Sequence, residues 1–361
     1  MNQDNKYWLG FSYIKGLGAS KINHISKYFR SMQDAWQANF EDFKKIRFNY
    51  KDIQNIISQR DDINPIDLEL NLEKINIKYI TLADDNYPVL LKEIFSPPPV
   101  LYYKGVIPEN NHLALAVVGT RRTSVYGRHV TPQLIKPVVE NGVIIVSGLA
   151  LGIDTVAHQS CLDAGGHTIA VLGCGLDRIY PSTNYKLAEK IIATGGCLIS
   201  EYPPGTEPFK QHFPARNRII AGLSKATLII EGDHKSGAMI TAKFALEYNR
   251  DVLAIPGNIT NTSAQGTNHL IKKGAYLIDD FKDILELYHL PNDKKKDNRM
   301  IDTTLTDDEK LLLKTLAVEP LYIDEIIQAC KLNTSTANAT LVLLEMKGYV
   351  KNLGDDKYVR T

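Results

Sequence analysis

The chain has 361 residues, of which 44% are apolar and 23% charged, and a net charge of +1. These are the proportions of an ordinary globular protein of two or three domains. No run of 18 or more apolar residues occurs, and Met1-Asn2-Gln3-Asp4-Asn5-Lys6 has no basic segment leading into an apolar one, so neither a membrane-spanning helix nor a signal peptide is expected. Cys161, Cys174, Cys197 and Cys330 form no C-x-x-C pair, which argues against a zinc site or disulfide framework and fits a reducing cytoplasm. Near neutrality, only local clustering of cations would create a nucleic-acid site.

Residues 1–78 read as a small helical domain. Ile14-Lys15-Gly16-Leu17-Gly18-Ala19 fits the hairpin of a helix-hairpin-helix (SAM-like) element or, preferred on one such phrase, a plain helix–helix turn. Residues 43–57 read as a degenerate second hairpin of mainly structural value. Residues 79–287 alternate apolar runs with helical periodicity. Strands are expected at 78–82, 114–118, 142–147, 167–172, 196–200, 226–230, 252–255 and 275–278, and helices at 155–164, 184–194 and 241–248. This alternation predicts an α/β fold with a Rossmann-like, doubly wound, mostly parallel sheet that binds ligands at the carboxyl ends of its strands.

Residues 288–304, including Asn292-Asp293-Lys294-Lys295-Lys296-Asp297-Asn298, read as a linker. Residues 305–361 carry three helical patterns and a hairpin, the outline of a winged helix. That segment holds seven Lys/Arg against nine Asp/Glu, a balance of −2, and its recognition helix opens Asn333-Thr334-Ser335-Thr336-Ala337-Asn338 without a cation. Duplex binding depends on neutralising phosphates, so a regulatory or protein-contact role is expected of it instead.

Four loops in the α/β region carry chemistry. In Gly119-Thr120-Arg121-Arg122-Thr123-Ser124, a strand-end glycine, hydroxyls and two arginines precede a helix, an arrangement suited to an anion or, as the bland alternative, a solvated basic loop. The dinucleotide fingerprint G-x-G-x-x-G is absent there, and no Walker A phrase occurs anywhere in the chain. Ser147-Gly148-Leu149-Ala150-Leu151-Gly152-Ile153-Asp154 offers hydroxyl and amide donors, with Asp154 expected as a helix N-cap. His158, four residues on, is expected to make a structural hydrogen bond, since no nucleophile stands beside the pair.

Lys210-Gln211-His212-Phe213-Pro214-Ala215-Arg216-Asn217-Arg218 mixes cations with an aromatic, the chemistry of single-strand recognition, in which a stacked base contributes about 1–3 kcal/mol. By itself Phe213 suits a core position better than a base platform, and Arg216 or Arg218 suits a buried carboxylate partner. The turn Glu231-Gly232-Asp233-His234-Lys235-Ser236-Gly237 adds a cation and amide donors. Glu231 alone gives thin support for catalysis. Cys174, between Gly173 and Gly175, reads as a small turn residue.

Together these phrases, from about Ile80 to Ile278, resemble the DprA/Smf family of DNA-processing proteins. The resemblance implies a non-enzymatic protein without cofactor or metal that binds single-stranded DNA, forms a homodimer through its Rossmann-like core, and loads the RecA recombinase during natural transformation. It implies a DNA site at Gly119, Thr120, Arg121, Lys210, Phe213, Arg216, Asn217 and Arg218. Arg122, Ser124, Ser147, Gly148, Lys235, Ser236 and Gly237 complete the expected DNA-binding set. The doubled arginine leaves open which of Arg121 and Arg122 meets the strand. Two other readings compete with this one. One is a nucleotide N-glycoside hydrolase like the lysine-decarboxylase-like enzymes, whose P-G-G-x-G-T-x-x-E phrase the 231–241 turn lacks. The other is an adaptor acting through the terminal domains.

Overall fold

Apolar strands build a central sheet, in a computed structural model that describes residues 4–110, 112–290, 305–316, 321–330, 332–354 and 356–360. Among these residues the strands are β1 (Lys78–Thr81), β2 (Val100–Gly105), β3 (Ala114–Val118), β4 (Ile144–Ser147), β5 (Thr168–Leu172), β6 (Cys197–Ser200), β7 (Ala226–Ile229), β8 (Asp251–Ala254) and β9 (Tyr276–Leu277). They form a nine-stranded sheet in the order β1-β2-β6-β5-β4-β3-β7-β8-β9. From β6 to β9 every pairing is parallel, whereas β2 runs antiparallel to both β6 and β1.

Every residue of β3 to β7 is buried, as parallel strands covered on both faces require. Ala116 and Val118 of β3 join one apolar cluster with Ile219, Ile220 and Ala242. Their neighbours Leu115 and Val117 join another with Leu134, Ile135 and Ala157. The alternation of a strand thus supplies two cores, one under each helical layer. The strand order reverses at β3, which pairs with β4 on one side and β7 on the other. That is a topological switch point, where a crevice opens beyond the carboxyl ends.

Two expectations shift. The strand expected from 142 begins at Ile144, because Gly142 takes φ +85° in the preceding turn. β2 was not anticipated, since Pro97-Pro98-Pro99 directly before it reads as a loop.

The N-terminal segment folds into helices Asn5–Tyr13, Ala19–Tyr28, Met32–Gln37, Phe40–Lys45, Tyr50–Arg60 and Pro65–Lys74. Gly16 sits at φ +82° in the first turn, with Ile14 and Leu17 buried beside it. Trp8 and Leu9 share a cluster with Val100, Tyr102, Ala170 and Leu198 of the sheet, and Asn5 Nδ2 donates to Asp84 Oδ1 at 2.8 Å. Helices and sheet therefore form one unit, Met1–Leu290.

Pro291–Thr361 is a second unit. It contains helices Asp307–Thr315, Ile323–Cys330 and Thr334–Met346, with β10 (Leu321–Tyr322), β11 (Val350–Asn352) and β12 (Lys357–Arg360) in the order β10-β12-β11. This is a winged helix. Of the expected linker, residues 291–304 lie outside the described residues. No described helix is long and apolar enough to cross a membrane.

Candidate nucleic-acid interface

A cleft of about 660 Å³ opens at the switch point, lined by residues from the loop after β3, the turn after β7 and the helix His212–Gly222. The β3 loop is tied down from beneath. Thr120 donates its backbone N–H to Glu231 O at 2.8 Å, and Ile153 N–H donates to Thr120 O at 3.2 Å. Gly152, at φ +86°, lets the next loop pass against the Thr120 carbonyl, where a Cβ would collide.

Three cations stand around the cleft: Arg121, Lys210 and Lys235, all exposed. No carboxylate forms an ion pair with any of them among the described residues. The Arg121 guanidinium carbon lies 5.5 Å from the centroid of the Phe213 ring. Tyr180, also lining the cleft, lies on that ring at 5.4 Å with the planes 34° apart. Phe213 is half-buried, so one part of the ring packs on Gly173 while the rest borders solvent. On the far wall Ser236 caps the helix Gly237–Glu247, accepting from Ala238 N–H at 3.3 Å. Asn217 Nδ2 donates to Gly237 O at 3.2 Å. The helix start adds a partial positive charge to the three cations.

Gly119, Thr120, Arg121, Lys210, Phe213, Asn217, Lys235, Ser236 and Gly237 thus line one cleft, whereas exposed Arg122 stands outside its lining. Five expected contacts are structural instead. Ser147 is fully buried and donates its hydroxyl to Val117 O at 2.6 Å. Gly148 N–H is spent on Asp154 Oδ2 at 3.1 Å. Ser124 caps the helix Val125–Glu140 and hydrogen-bonds Glu231 through both its N–H and its hydroxyl.

Arg216 is only 3% exposed and donates to Gly148 O and Val171 O. Burial pulls its pKa down to about 10, against the opposing pull of Asp154. Although it borders the cleft floor, its hydrogen bonds point into the protein. Arg218 is paired with Glu201, both nearly buried. A guanidinium already engaged by a buried carboxylate is not a free phosphate ligand.

Asp154 is not an N-cap: Gly152 holds that position, and Asp154 lies in the first helical turn, accepting from Gly148 and Ala150 N–H. Burial raises its pKa, and Arg216 opposes the rise. His158 does make a structural hydrogen bond, but to Thr168 Oγ1 at 2.7 Å. Since Thr168 donates its own proton to Ile145 O, the histidine must donate through Nδ1. Desolvation, then the nearby Arg216 charge, lowers its pKa to about 3 and keeps it neutral. Glu231 is buried and hydrogen-bonds Ser124 and Ser263. It lines a separate crevice with Tyr126 and Asn258, whose lining includes no lysine or arginine.

Tyr180 was missed by the sequence reading. Its only sequence signal is an aromatic before Pro181, in a loop that follows β5 at the carboxyl end of the sheet.

The family model described as DNA recombination-mediator protein A matches residues 78–289, and the one described as DprA winged helix domain matches 298–356. Protein Smf of Synechocystis is 38% identical over 396 aligned positions, covering 99% of each chain. DNA processing protein DprA of Streptococcus pneumoniae is 44% identical over 219 positions, covering 61% of this chain and 77% of that one. The X-ray structure of the pneumococcal protein superimposes with a TM-score of 0.68 at 37% identity, over 78% of this chain and 97% of that one. A Helicobacter pylori DprA structure, described as giving insight into a single-stranded DNA binding mode, has a TM-score of 0.53 at 33% identity, over 60% of this chain and 99% of that one. With both its α/β core and its winged helix matched, the chain belongs to the DprA/Smf family of DNA recombination-mediator proteins.

Proposed function

We propose that the cleft at the switch point binds single-stranded DNA, holding phosphates on Arg121, Lys210 and Lys235 and a base against Phe213. The observation that carries this reading is the convergence of three unpaired cations, a helix start and a half-buried ring in one cleft. Cations follow the backbone of any sequence, and a ring stacks on any base, so the expected binding is strong in its salt dependence and weak in its sequence preference. The H. pylori relative, described as binding single-stranded DNA, supports the same ligand here.

The protein acts in this reading as a cytoplasmic binding module rather than an enzyme. The hydrogen bonds of Glu231 to Ser124 and Ser263, and its place outside the cleft, favour this over a glycoside hydrolase. The family's description as recombination mediators supports a further step, in which a homodimer built on the α/β core passes the coated strand to a RecA-type recombinase.

The test is a gel shift of the purified protein with single- and double-stranded oligonucleotides of one sequence, titrated with salt. Preference for the single strand is expected, and equal affinity for both forms overturns the reading. Removing residues 305–361 is expected to leave most of the affinity in place.

A further inference from the structure

A second groove, of about 1230 Å³, lies in the same unit between the helix Ala19–Tyr28, the turn around Arg47, the loop before β2 and the end of the helix Gly237–Glu247. Its charge is one-sided. Each acid in its lining has a basic partner: Asp52 with Lys21 at 2.6 Å, Glu93 with Arg250 at 2.8 Å, and Glu247 with Lys243 at 3.6 Å. Lys27, Arg47 and Lys92 also line it, are exposed, and form no ion pair among the described residues. Three positive charges are therefore left over.

Aromatic rings line the same groove. Phe95 is 86% exposed, an uncommon state for a phenylalanine. His24 lies flat on Phe48, centroids 5.8 Å apart and planes within 17°. Arg47 at φ +63° and Ser96, beside Phe95, at φ +58° hold a left-handed backbone that disfavours non-glycine residues. The helix Gly237–Glu247 joins the two sites, with Gly237 on the first cleft and Glu247 on this groove. Eleven helical residues separate them by about 16 Å.

We propose that this groove is a second subsite for a longer single strand, taking phosphates on Lys27, Arg47 and Lys92 and a base against Phe95; the proposal rests on the single-strand reading of the first cleft. An acidic peptide would meet the same cations but would give an exposed phenyl ring and a stacked imidazole little to do. A base uses both.

The test is an equilibrium titration of the full chain with thymidine oligomers of about 6 and about 25 nucleotides. The variants are Lys27→Ala/Lys92→Ala, Phe95→Ala and, for the first cleft, Lys210→Ala. The double variant is expected to bind the long oligomer about 10-fold more weakly, with a slope of log K against log salt shallower by about 1.4, and to bind the short one normally. Phe95→Ala should weaken only the long oligomer, by about 5-fold or more, at unchanged slope. Lys210→Ala should weaken both oligomers.

Equal affinity of wild type and double variant for the long oligomer overturns the second subsite while leaving the first intact. Failure of the wild type to bind the short oligomer instead counts against the first cleft, and the long oligomer then decides the groove alone. A polyglutamate peptide that binds the wild type and not the double variant, with oligomer binding unaffected, overturns the strand assignment in favour of an acidic protein partner.

Discussion

The guanidinium of Arg121, on the loop after β3, lies over the ring of Phe213, in the first turn of the helix His212–Gly222, 5.5 Å from its centroid. A cation and a ring held within reach of each other can take a phosphate and a base of one strand. The neighbouring Arg122 has no place in that arrangement, because it stands outside the cleft lining.

Arg121→Ala is therefore expected to weaken single-strand binding by about 10-fold or more, combining a lost charge-assisted contact with a loosened ring. Arg122→Ala should change it by less than about 3-fold, the size of a solvated rim charge. Fluorescence anisotropy with a labelled oligonucleotide compares the two. A larger effect at Arg122 would place the strand on the other side of the loop.

Lys210→Ala should flatten the slope of log K against log salt by about 0.7, the contribution of one single-strand phosphate. Phe213→Ala should lower affinity by about 1–3 kcal/mol without altering that slope. Titrations at several salt concentrations separate charge from stacking. An unchanged slope in Lys210→Ala removes that residue from the site.

Arg216→Met is expected to act on stability. It removes the cation facing Asp154 and two donors to the Gly148 and Val171 carbonyls, and breaking a buried charge pair costs about 3–5 kcal/mol. The measurement is the denaturant midpoint. Normal stability with abolished DNA binding would return Arg216 to the list of strand contacts.

His158 gives the fold an acid-sensitive element. Its folded pKa, about 3, lies below the ordinary 6.5, so between those values the unfolded chain holds more protons than the folded one. Its contribution to stability is complete above about pH 6.5 and is lost as the pH falls towards 3. His158→Gln should thus lose less stability between pH 6.5 and 4 than the wild type. Parallel acid limbs in thermal melts of the two proteins would show that the histidine does not drive the transition. Asp154, whose pKa is raised by burial, works in the opposite sense in both proteins and cancels in the comparison.

Much of this architecture was legible in the sequence because a strand covered on both faces is almost wholly apolar: β3 is so throughout, and β4 and β5 depart from it only at the terminal Ser147 and Thr168. β2 was not, since a half-buried antiparallel strand behind three prolines carries neither signal. The cleft was legible in its loops, because glycine, hydroxyl and cation after a strand have few structural uses in common. The roles of Arg216 and Arg218 were not settled by composition. Yet Arg216 stands three and four positions before Ile219 and Ile220, both fully buried, and helical periodicity places it on their face. That signal was available. The partner of Arg218 was not, for Glu201 comes from the end of β6, 17 positions away, and only the folded sheet brings them together.

Glu231, lashed to the amide and hydroxyl of Ser124, fastens the far end of β7 to the start of the helix Val125–Glu140. Together with the Thr120 N–H bond to the Glu231 carbonyl, this ties the loop after β3 to the turn after β7 with no ligand present. On the single-strand reading, the entropy lost on association would then fall mainly on the polynucleotide and a few long side chains. Encounter and capture can then proceed without waiting for a loop to fold.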